Sequence, residues 1–198
     1  MEPGKILIWN VRGLNSTARH DSVRTLVDSS QADIVCIQET KISAMPQRTL
    51  LSALGSDFAD FVAAPSVGAS GGILVAWRWH VKLSVIWRGD NYSVSVQFSQ
   101  ESGQTWWLTC VYGPQGNDEK ILFLQERRDI RAACLGPWMV AGDFNLIYKD
   151  KDKNNSNLNR AMMGRFRKLI NDLALKELPL LGRKYTWSNL QESPTLVK

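Results

Sequence analysis

The feature that most constrains this fold is a set of short, mostly apolar segments with a polar side chain at or next to their ends. Residues 5–11 and 32–38 are two of them, rich in β-branched and aromatic residues, and they predict buried strands. Between them, residues 17–30 place apolar side chains at helical spacing, and Ser16 or Thr17 could cap the start of that helix. Two buried strands joined by a helix predict a βαβ unit.

The middle of the chain predicts an antiparallel meander, because four short segments rich in Val, Trp and Thr are separated by turn residues. These segments are residues 73–77, 81–87, 92–98 and 105–112. Apolar and polar side chains alternate along residues 93–98, which predicts a strand with one buried face. Further helices are expected at 45–54, 118–134 and 160–173, a strand at 138–141, and a polar loop at 148–159.

Helices and strands are interleaved throughout, and the sequence contains neither an internal repeat nor a linker. This pattern predicts one domain over residues 1–198, of the α/β or α+β class, with two packed sheets and outer helices. With 198 residues and 44% apolar side chains, the chain is long enough to bury a sizeable core, so general disorder is excluded.

Charge and cysteine content limit the partners and the compartment. The net charge of +5 is modest and spread along the chain, so it fits a nucleic-acid partner but also an ordinary protein surface. Three widely spaced cysteines form neither a disulfide framework nor a zinc pattern, and we expect buried free thiols in a reducing compartment. No signal peptide or membrane span is evident, so we expect an intracellular protein, nuclear or cytoplasmic.

Polar residues at the ends of the predicted strands are the candidate site. They are Asn10, Glu39, Tyr112, Asp143 and Asn145. Each alone has a simpler interpretation, as a turn residue, a helix-start residue, a half-buried aromatic or a cap. Strand ends in α/β sheets gather ligand sites, so we expect these residues to lie together. Together they supply the groups that phosphodiester hydrolysis requires. Glu39 could bind Mg²⁺, Asp143 could orient a water, and the others could hydrogen-bond a phosphate.

Four short motifs carry a family resemblance, in matching order and spacing. They are WNVRGL at 9–14, QETK at 38–41, VYGP at 111–114 and GDFN at 142–145. In these motifs the chain resembles the endonuclease/exonuclease/phosphatase superfamily, which includes deoxyribonuclease I and the abasic-site endonucleases. The segments SGGI at 70–73 and GRKYTWSN at 182–189 look like the endonuclease domain of plant LINE-type (non-LTR) retrotransposons. The resemblance covers essentially the whole chain.

The resemblance implies a Mg²⁺-dependent endonuclease acting on DNA, with Mn²⁺ as an alternative ion, on a four-layer fold with two mixed sheets face to face. Glu39 would bind the metal with Asn10 nearby, Tyr112 would contact the scissile phosphate, and Asp143 would orient the attacking water. Asn145 would hold a phosphate oxygen. Thr186 matches a threonine that lines the DNA-binding cleft, with Arg12 and Ser188 as further substrate-binding candidates. The loops near 64–66 and at 148–159 are expected to set target preference.

The sequence departs from the family pattern in two motifs. The catalytic histidine of the family lies in a Ser-Asp-His motif and a further aspartate in a Leu-Asp-Arg motif, and neither motif occurs here. His20 and His80 are in other contexts, so we expect both to be surface or structural residues. We therefore expect a domain that lacks its C-terminal strands, has impaired activity, and exposes sheet edges that would permit self-association. Two alternatives are a phosphatase on the same fold and a non-catalytic nucleic-acid-binding remnant.

Overall fold

Both four-stranded sheets lie before residue 144, and the helix Arg160–Asp172 is the longest regular element of the described segment that follows. The computed structural model describes residues 4–58, 60–67, 70–100 and 102–198. In chain order the elements are β1 (Ile6–Asn10), α1 (Thr17–Ser30), β2 (Ile34–Gln38), α2 (Gln47–Leu54), β3 (Asp60–Val67), β4 (Ser70–Trp77), β5 (Leu83–Gly89), β6 (Ser93–Ser99), β7 (Thr105–Tyr112), α3 (Asn117–Ala133), β8 (Trp138–Asp143), α4 (Arg160–Asp172), β9 (Trp187–Ser188) and β10 (Leu196–Val197).

The first sheet has the strand order β1-β2-β4-β3. β1 and β2 are parallel, with Asn10 opposite Gln38, and α1 connects them, so the predicted βαβ unit is confirmed. Ser16 caps α1, because its side chain accepts a hydrogen bond from the Arg19 amide. β4 is antiparallel to both β2 and β3, which makes the sheet mixed.

The second sheet has the order β5-β6-β7-β8. β5, β6 and β7 form an antiparallel meander, and β8 adds parallel to β7, with Tyr112 opposite Asp143. The prediction that residues 73–77 belong to this meander is wrong, because they lie in β4 of the first sheet. Their side chains are buried along nearly the whole run, which suits a central strand and not a strand with one exposed face.

β3 was not predicted, and the expectation of a surface loop near residues 64–66 is wrong. β3 lies at the edge of the first sheet and pairs only with β4. The pairing passes from Ala64 opposite Ile73 to Ser66 opposite Gly71, with Pro65 between them. A proline has no amide hydrogen to donate, so it is tolerated in an edge strand that needs hydrogen bonds on one side only.

Two apolar clusters hold this part of the molecule together. One fills the space between the sheets, with Cys36 and Val75 of the first sheet and Val96 and Cys110 of the second among its members. The other packs the opposite face of the first sheet against α1 and α2. All three cysteines are buried and free, as predicted. A contact with Cys110 and burial raise the pKa of the Cys36 thiol well above its usual value, so it stays a neutral thiol.

The prediction that β6 buries only one face is wrong. Ser93 and Ser95 are fully buried, although they alternate with the apolar residues of that strand. The Ser95 and Thr109 hydroxyls lie 2.8 Å apart, and the Trp138 indole donates to Thr109 Oγ1 at 2.8 Å. Buried hydroxyls are tolerated when they form hydrogen bonds, so a polar residue in the pattern did not indicate an exposed face.

The chain divides into two compact units. The first comprises residues Met1–Gly113 and Cys134–Phe144 and contains both four-stranded sheets; the second comprises Pro114–Ala133 and Asn145–Lys198. Within the described ranges there are two mixed sheets and four α-helices, which confirms the predicted α/β fold class. A single domain over 1–198 stays a prediction. No helix in the described part of the chain is long and apolar enough to cross a membrane.

The second unit contains α3, α4 and the β9–β10 hairpin. The predicted loop at 148–159 contains one 3₁₀ turn, Asp150–Asp152, and Asp152 is buried there and accepts from the Lys149 amide at 2.8 Å. Asn154 holds the hairpin against this loop, since its side chain donates to Pro194 O and accepts from the Leu196 amide. This polar segment is therefore ordered by its own hydrogen bonds.

Candidate active site

Four of the predicted site residues meet where two strands of each sheet end. Asn10 ends β1 and Glu39 follows β2, which is parallel to it, while Tyr112 and Asp143 end the parallel strands β7 and β8. The Asn10 amide Nδ2 donates to Asp143 Oδ2 at 2.8 Å, so one side-chain hydrogen bond joins the two sheets at this edge. We call these four residues the strand-end cluster.

The backbone around Glu39 has an unusual conformation that other segments hold in place. Glu39 and Lys41 have φ angles of 56° and 57°, in the left-handed region. The Gly13 amide donates to Glu39 O at 2.8 Å, and the Thr40 amide donates to Gly72 O at 3.1 Å. Gly72 has a φ of 87°, and a Cβ there would lie 2.2 Å from Thr40 Oγ1. Only glycine allows this approach, so Gly72 in β4 helps to hold the backbone around Glu39 in place.

Asp143 is positioned in the same way by the glycine before it. Gly142 has a φ of 133°, and a Cβ there would lie 2.2 Å from the carbonyl oxygen of Val111 on β7. The Gly113 amide donates to Asp143 O at 2.7 Å, which ties the ends of β7 and β8 together. The Asp143 carboxylate therefore projects from a rigid pair of strands.

The cluster carries concentrated negative charge. Partial burial, the charge of Glu39, a hydrogen bond to Glu39 and the charge of Asp143 together raise the pKa of Tyr112 to about 12. A tyrosine with its ordinary pKa is already protonated at neutral pH, and the raised pKa keeps the Tyr112 hydroxyl a hydrogen-bond donor well into alkaline solution. Lys41 Nζ lies 3.1 Å from Glu39 Oε1 and balances part of the charge.

The donor set suits a hard cation that keeps part of its water shell. Glu39 and Asp143 supply carboxylate oxygens, and Asn10 supplies an amide oxygen. No group of three or more His, Cys, Asp or Glu residues that could hold a metal occurs among the described residues. A full protein cage for Zn²⁺ or Ca²⁺ would need such a group, whereas Mg²⁺ binds through one or two carboxylates plus water and substrate phosphate.

Of the remaining predicted residues, Arg12 contacts Asn10 of this cluster, and Asn145, Thr186 and Ser188 belong to the second unit. Arg12 is exposed, with a φ of 54°, and its backbone amide donates to Asn10 Oδ1 at 3.1 Å. Asn145 is half-buried with a φ of 50° and begins the second stretch of the second unit. Thr186 and Ser188 also belong to that unit, where the Thr186 amide donates to Val197 O. The binding roles of these four residues stay predictions.

Both histidines have structural contacts, as expected from their sequence contexts. His20 lies in α1, and its ring nitrogens are 3.0 Å from Ser52 Oγ and 3.0 Å from Leu14 O. His80 lies 3.1 Å from Asp33 Oδ1. The strand-end cluster thus contains no imidazole among the residues that the structure describes.

Sequence reasoning gave no role to two residues of the QETK motif. Gln38 is buried, and its Nε2 donates to Cys36 O and to Cys110 Sγ, so it fixes the strand that precedes Glu39. Lys41 pairs with Glu39 although they are only two positions apart. Residues two positions apart share a face in a regular strand. Glu39 and Lys41 follow β2 and both have left-handed backbones, so strand spacing does not predict their pairing.

A comparison with protein-family models identifies the family of this chain. Residues 7–195 match the family model described as the Endonuclease/Exonuclease/phosphatase family. The chain belongs to this family. The resemblance in the four short motifs is therefore confirmed, and so is the expectation of an enzyme family. A search of curated proteins found no match.

Several solved structures share the fold at low sequence identity. The endonuclease domain of TRAS1, a telomere-specific non-LTR retrotransposon, superposes with a TM-score of 0.68 at 14% identity, covering 99% of this chain and 82% of that one. A 3′-5′ exonuclease (NExo) from Neisseria meningitidis gives 0.65 at 19% identity, covering 97% and 86%. The AP endonuclease LMAP from Leishmania major gives 0.66 at 15% identity, covering 86% of this chain. The chain spans 66% of the Leishmania protein, which is less than two thirds.

Proposed function

We propose that this chain hydrolyses phosphodiester bonds in nucleic acid with the help of Mg²⁺, and that its substrate is DNA, as for a retrotransposon-type endonuclease. The observation that carries the proposal is the 2.8 Å hydrogen bond between Asn10 and Asp143, which joins the ends of two sheets beside Glu39 and Tyr112. This arrangement combines a metal-binding carboxylate, a carboxylate for water and a neutral hydroxyl donor at one edge.

Hydrolysis requires a water to attack phosphorus in line with the leaving oxygen while the phosphate charge is stabilised. Asp143 orients that water, because its carboxylate is fixed by Asn10 and by the β7–β8 pair. Tyr112 donates its hydroxyl to a non-bridging phosphate oxygen, because the hydroxyl is protonated at neutral pH. Asn145 and Arg12 supply further donors to the phosphate.

Glu39, with Asn10 nearby, would hold the divalent ion, which supplies positive charge for the phosphate and leaving oxygens. Mn²⁺ has similar ligand preferences and would substitute for Mg²⁺. The family relationship and the two carboxylates support a divalent ion in general, and the oxygen-only donor set favours these two ions over zinc.

We infer that cleavage by these residues alone is slow. No imidazole lies in the strand-end cluster among the described residues, and each histidine is engaged elsewhere. A general acid–base group contributes about 10²–10⁴-fold to a reaction of this kind. Binding of metal and phosphate does not depend on that group and would persist.

DNA as the substrate is supported by where the positive charge lies. Residues 145–198 contain eleven Lys or Arg and five Asp or Glu, whereas the first unit contains nine and ten. Arg183 and Lys184 are exposed beside Thr186, so this segment suits a phosphate backbone. The TRAS1 neighbour belongs to a non-LTR retrotransposon, in line with a retrotransposon origin. The buried free thiols fit a nuclear or cytoplasmic protein, and the exposed sheet edges would permit self-association.

The test is nicking of supercoiled plasmid with Mg²⁺, comparing this chain with Glu39→Ala and adding imidazole to both. We expect slow nicking by the unaltered chain, acceleration by imidazole, and loss of both on substitution of Glu39. EDTA should abolish the activity.

Each other outcome contradicts the proposal in a distinct way. DNA binding without nicking, even with imidazole, would favour a non-catalytic nucleic-acid-binding remnant. Hydrolysis of phosphomonoesters or inositol phosphates but not of DNA would favour a phosphatase on the same fold. Nicking that survives Glu39→Ala would show that another site, or a contaminant, carries the activity.

A further inference from the structure

Lys41 occupies a position that the proposed function leaves unexplained. Its ammonium lies 3.1 Å from Glu39 Oε1, and its side chain is 35% exposed while that of Glu39 is 17% exposed. A lysine pairing with the carboxylate that would hold a metal is an electrostatic competitor of that metal. It also offsets the charge of a carboxylate that, like that of Asp143, acts on the Tyr112 hydroxyl.

The backbone holds Lys41 beside Glu39 and leaves its side chain room to turn. The Lys41 amide donates to Gly71 O at 3.1 Å, and its carbonyl oxygen lies 3.5 Å from Asn15 Nδ2. The side chain also lines a surface groove of about 340 Å³ whose other walls include Leu14, Asn15, Ser43 and Thr49. The lining also includes His20, Ile42 and Pro46. None of the lining residues carries a carboxylate, so an ammonium turned into the groove would meet no anion of the lining there.

We propose, on the basis of the proposed function, that Lys41 is the ion-pair partner of the Glu39 carboxylate when no metal is bound, and a phosphate ligand of the substrate when it is bound. Without a metal, its ammonium pairs with Glu39 and keeps the cluster from self-repulsion. When Glu39 holds a divalent ion, the ammonium turns towards the groove and binds a phosphate oxygen of the nucleic acid there. Lys41 therefore lowers the intrinsic affinity for metal and raises the affinity for nucleic acid.

The direction in which metal affinity changes when Lys41 is replaced distinguishes this role from one in which Lys41 only positions Glu39. A positive charge a few ångströms from a divalent ion is repulsive at any effective dielectric constant, so removing it strengthens metal binding. A residue that only positioned Glu39 would weaken metal binding when removed. We expect Lys41→Met to tighten binding by about tenfold, because the pair is partly exposed and screened.

The experiment titrates Mn²⁺ alone into the chain and follows free Mn²⁺ by electron paramagnetic resonance, without substrate. Variants are Lys41→Met, Lys41→Gln as a second neutral side chain, Lys41→Arg, which keeps the charge, and Glu39→Gln, which removes the carboxylate. Lys82→Met, an exposed lysine on the turn before β5, controls for the loss of one positive charge elsewhere. Thermal melting confirms that each variant is folded.

The expected result is tighter Mn²⁺ binding in both neutral variants, affinity within about twofold of the unaltered chain in Lys41→Arg and Lys82→Met, and no specific binding in Glu39→Gln. Binding to a short DNA duplex should weaken several-fold in Lys41→Met, with a salt-dependence slope smaller by about 0.9. Unchanged or weaker Mn²⁺ binding in Lys41→Met overturns the inference and leaves the proposed function intact. Absence of Mn²⁺ binding in the unaltered chain overturns both.

Discussion

The strand-end cluster and the segment 176–198 differ in how their positions are fixed. Asn10, Tyr112 and Asp143 end strands whose register runs through the buried core between the sheets, and the Asn10–Asp143 and Gln38–Cys110 hydrogen bonds cross from sheet to sheet. Residues 176–184, by contrast, are all exposed, and Leu178 and Leu181 have 69% and 83% of their surface accessible. This segment is ordered by side-chain and backbone hydrogen bonds near the hairpin.

The two regions would contribute differently to the function of a nuclease. Orientation of a water and of phosphate ligands needs positions fixed to a fraction of an ångström, which buried strands provide. Attraction of a polyanion needs charge but tolerates mobility, because it acts through screened, long-range fields. Mutations in the first region should therefore affect stability and chemistry together, and mutations in the second should affect neither strongly.

The largest contrast should come from removing one leucine from each region. Leu108 of β7 is fully buried between the sheets, so Leu108→Ala should lower the free energy of unfolding by about 2–5 kcal/mol. Leu181→Ala should change it by less than about 0.5 kcal/mol. Urea unfolding followed by tryptophan fluorescence measures both. Equal losses would mean that Leu181 is buried in solution, and would contradict the contrast between buried strands and an exposed segment.

Two glycines with positive φ test the same contrast at the backbone. Gly142→Ala places a Cβ 2.2 Å from Val111 O, so we expect a loss of about 2–4 kcal/mol in unfolding free energy and weaker Mn²⁺ binding. Gly182 has a φ of 85° with nothing within 4 Å of an added Cβ, so Gly182→Ala should cost about 1 kcal/mol. Thermal melting and Mn²⁺ titration report the two effects. A milder effect at Gly142 than at Gly182 contradicts the rigid-strand explanation.

Changing Asn10 to an acid would set two carboxylates against each other. In Asn10→Asp the new carboxylate faces Asp143, so one of the two pKa values should rise in the folded state. A raised carboxyl pKa favours folding at low pH, so the loss of stability should be about 1–3 kcal/mol at neutral pH and shrink in acid. Melting curves between acid and neutral pH measure this trend, with Asn10→Ala as the uncharged control. A deficit that does not depend on pH would show that Asn10 and Asp143 are not in contact in solution.

The sequence predicted the parts of this structure that depend on local patterns. Apolar runs and helical spacing gave the βαβ unit and the strand ends, so Asn10 and Asp143 were found as candidates before their contact was known. The sheet to which β4 belongs was missed, because strand pairing depends on residues far apart in the chain. β3 was missed because Pro65 and the small residues around it do not form an apolar run. The Lys41–Glu39 pair was missed because it arises from two left-handed residues.

The smallest predicted effect concerns the Tyr112 hydroxyl. Its pKa in the folded chain is about 12, above the value of about 10 for a free tyrosine, mainly because of partial burial and the charge of Glu39. A group whose pKa is raised on folding stabilises the fold below the unfolded pKa, and this contribution is lost as the pH rises through the folded pKa. Tyr112→Phe should therefore cost about 0.5–1.5 kcal/mol at neutral pH, and the difference from the unaltered chain should vanish between about pH 10 and pH 12.

Ultraviolet absorbance of phenolate, compared between the unaltered chain and Tyr112→Phe, isolates the titration of this one tyrosine. The difference should develop near pH 12 in the unaltered chain and shift towards lower pH in Glu39→Gln, because the neutral amide removes the charge that opposes phenolate formation. Ionisation of Tyr112 near pH 10 in the unaltered chain would show that the hydroxyl does not sense Glu39. The phenolic titration would then not distinguish Tyr112 from an exposed tyrosine.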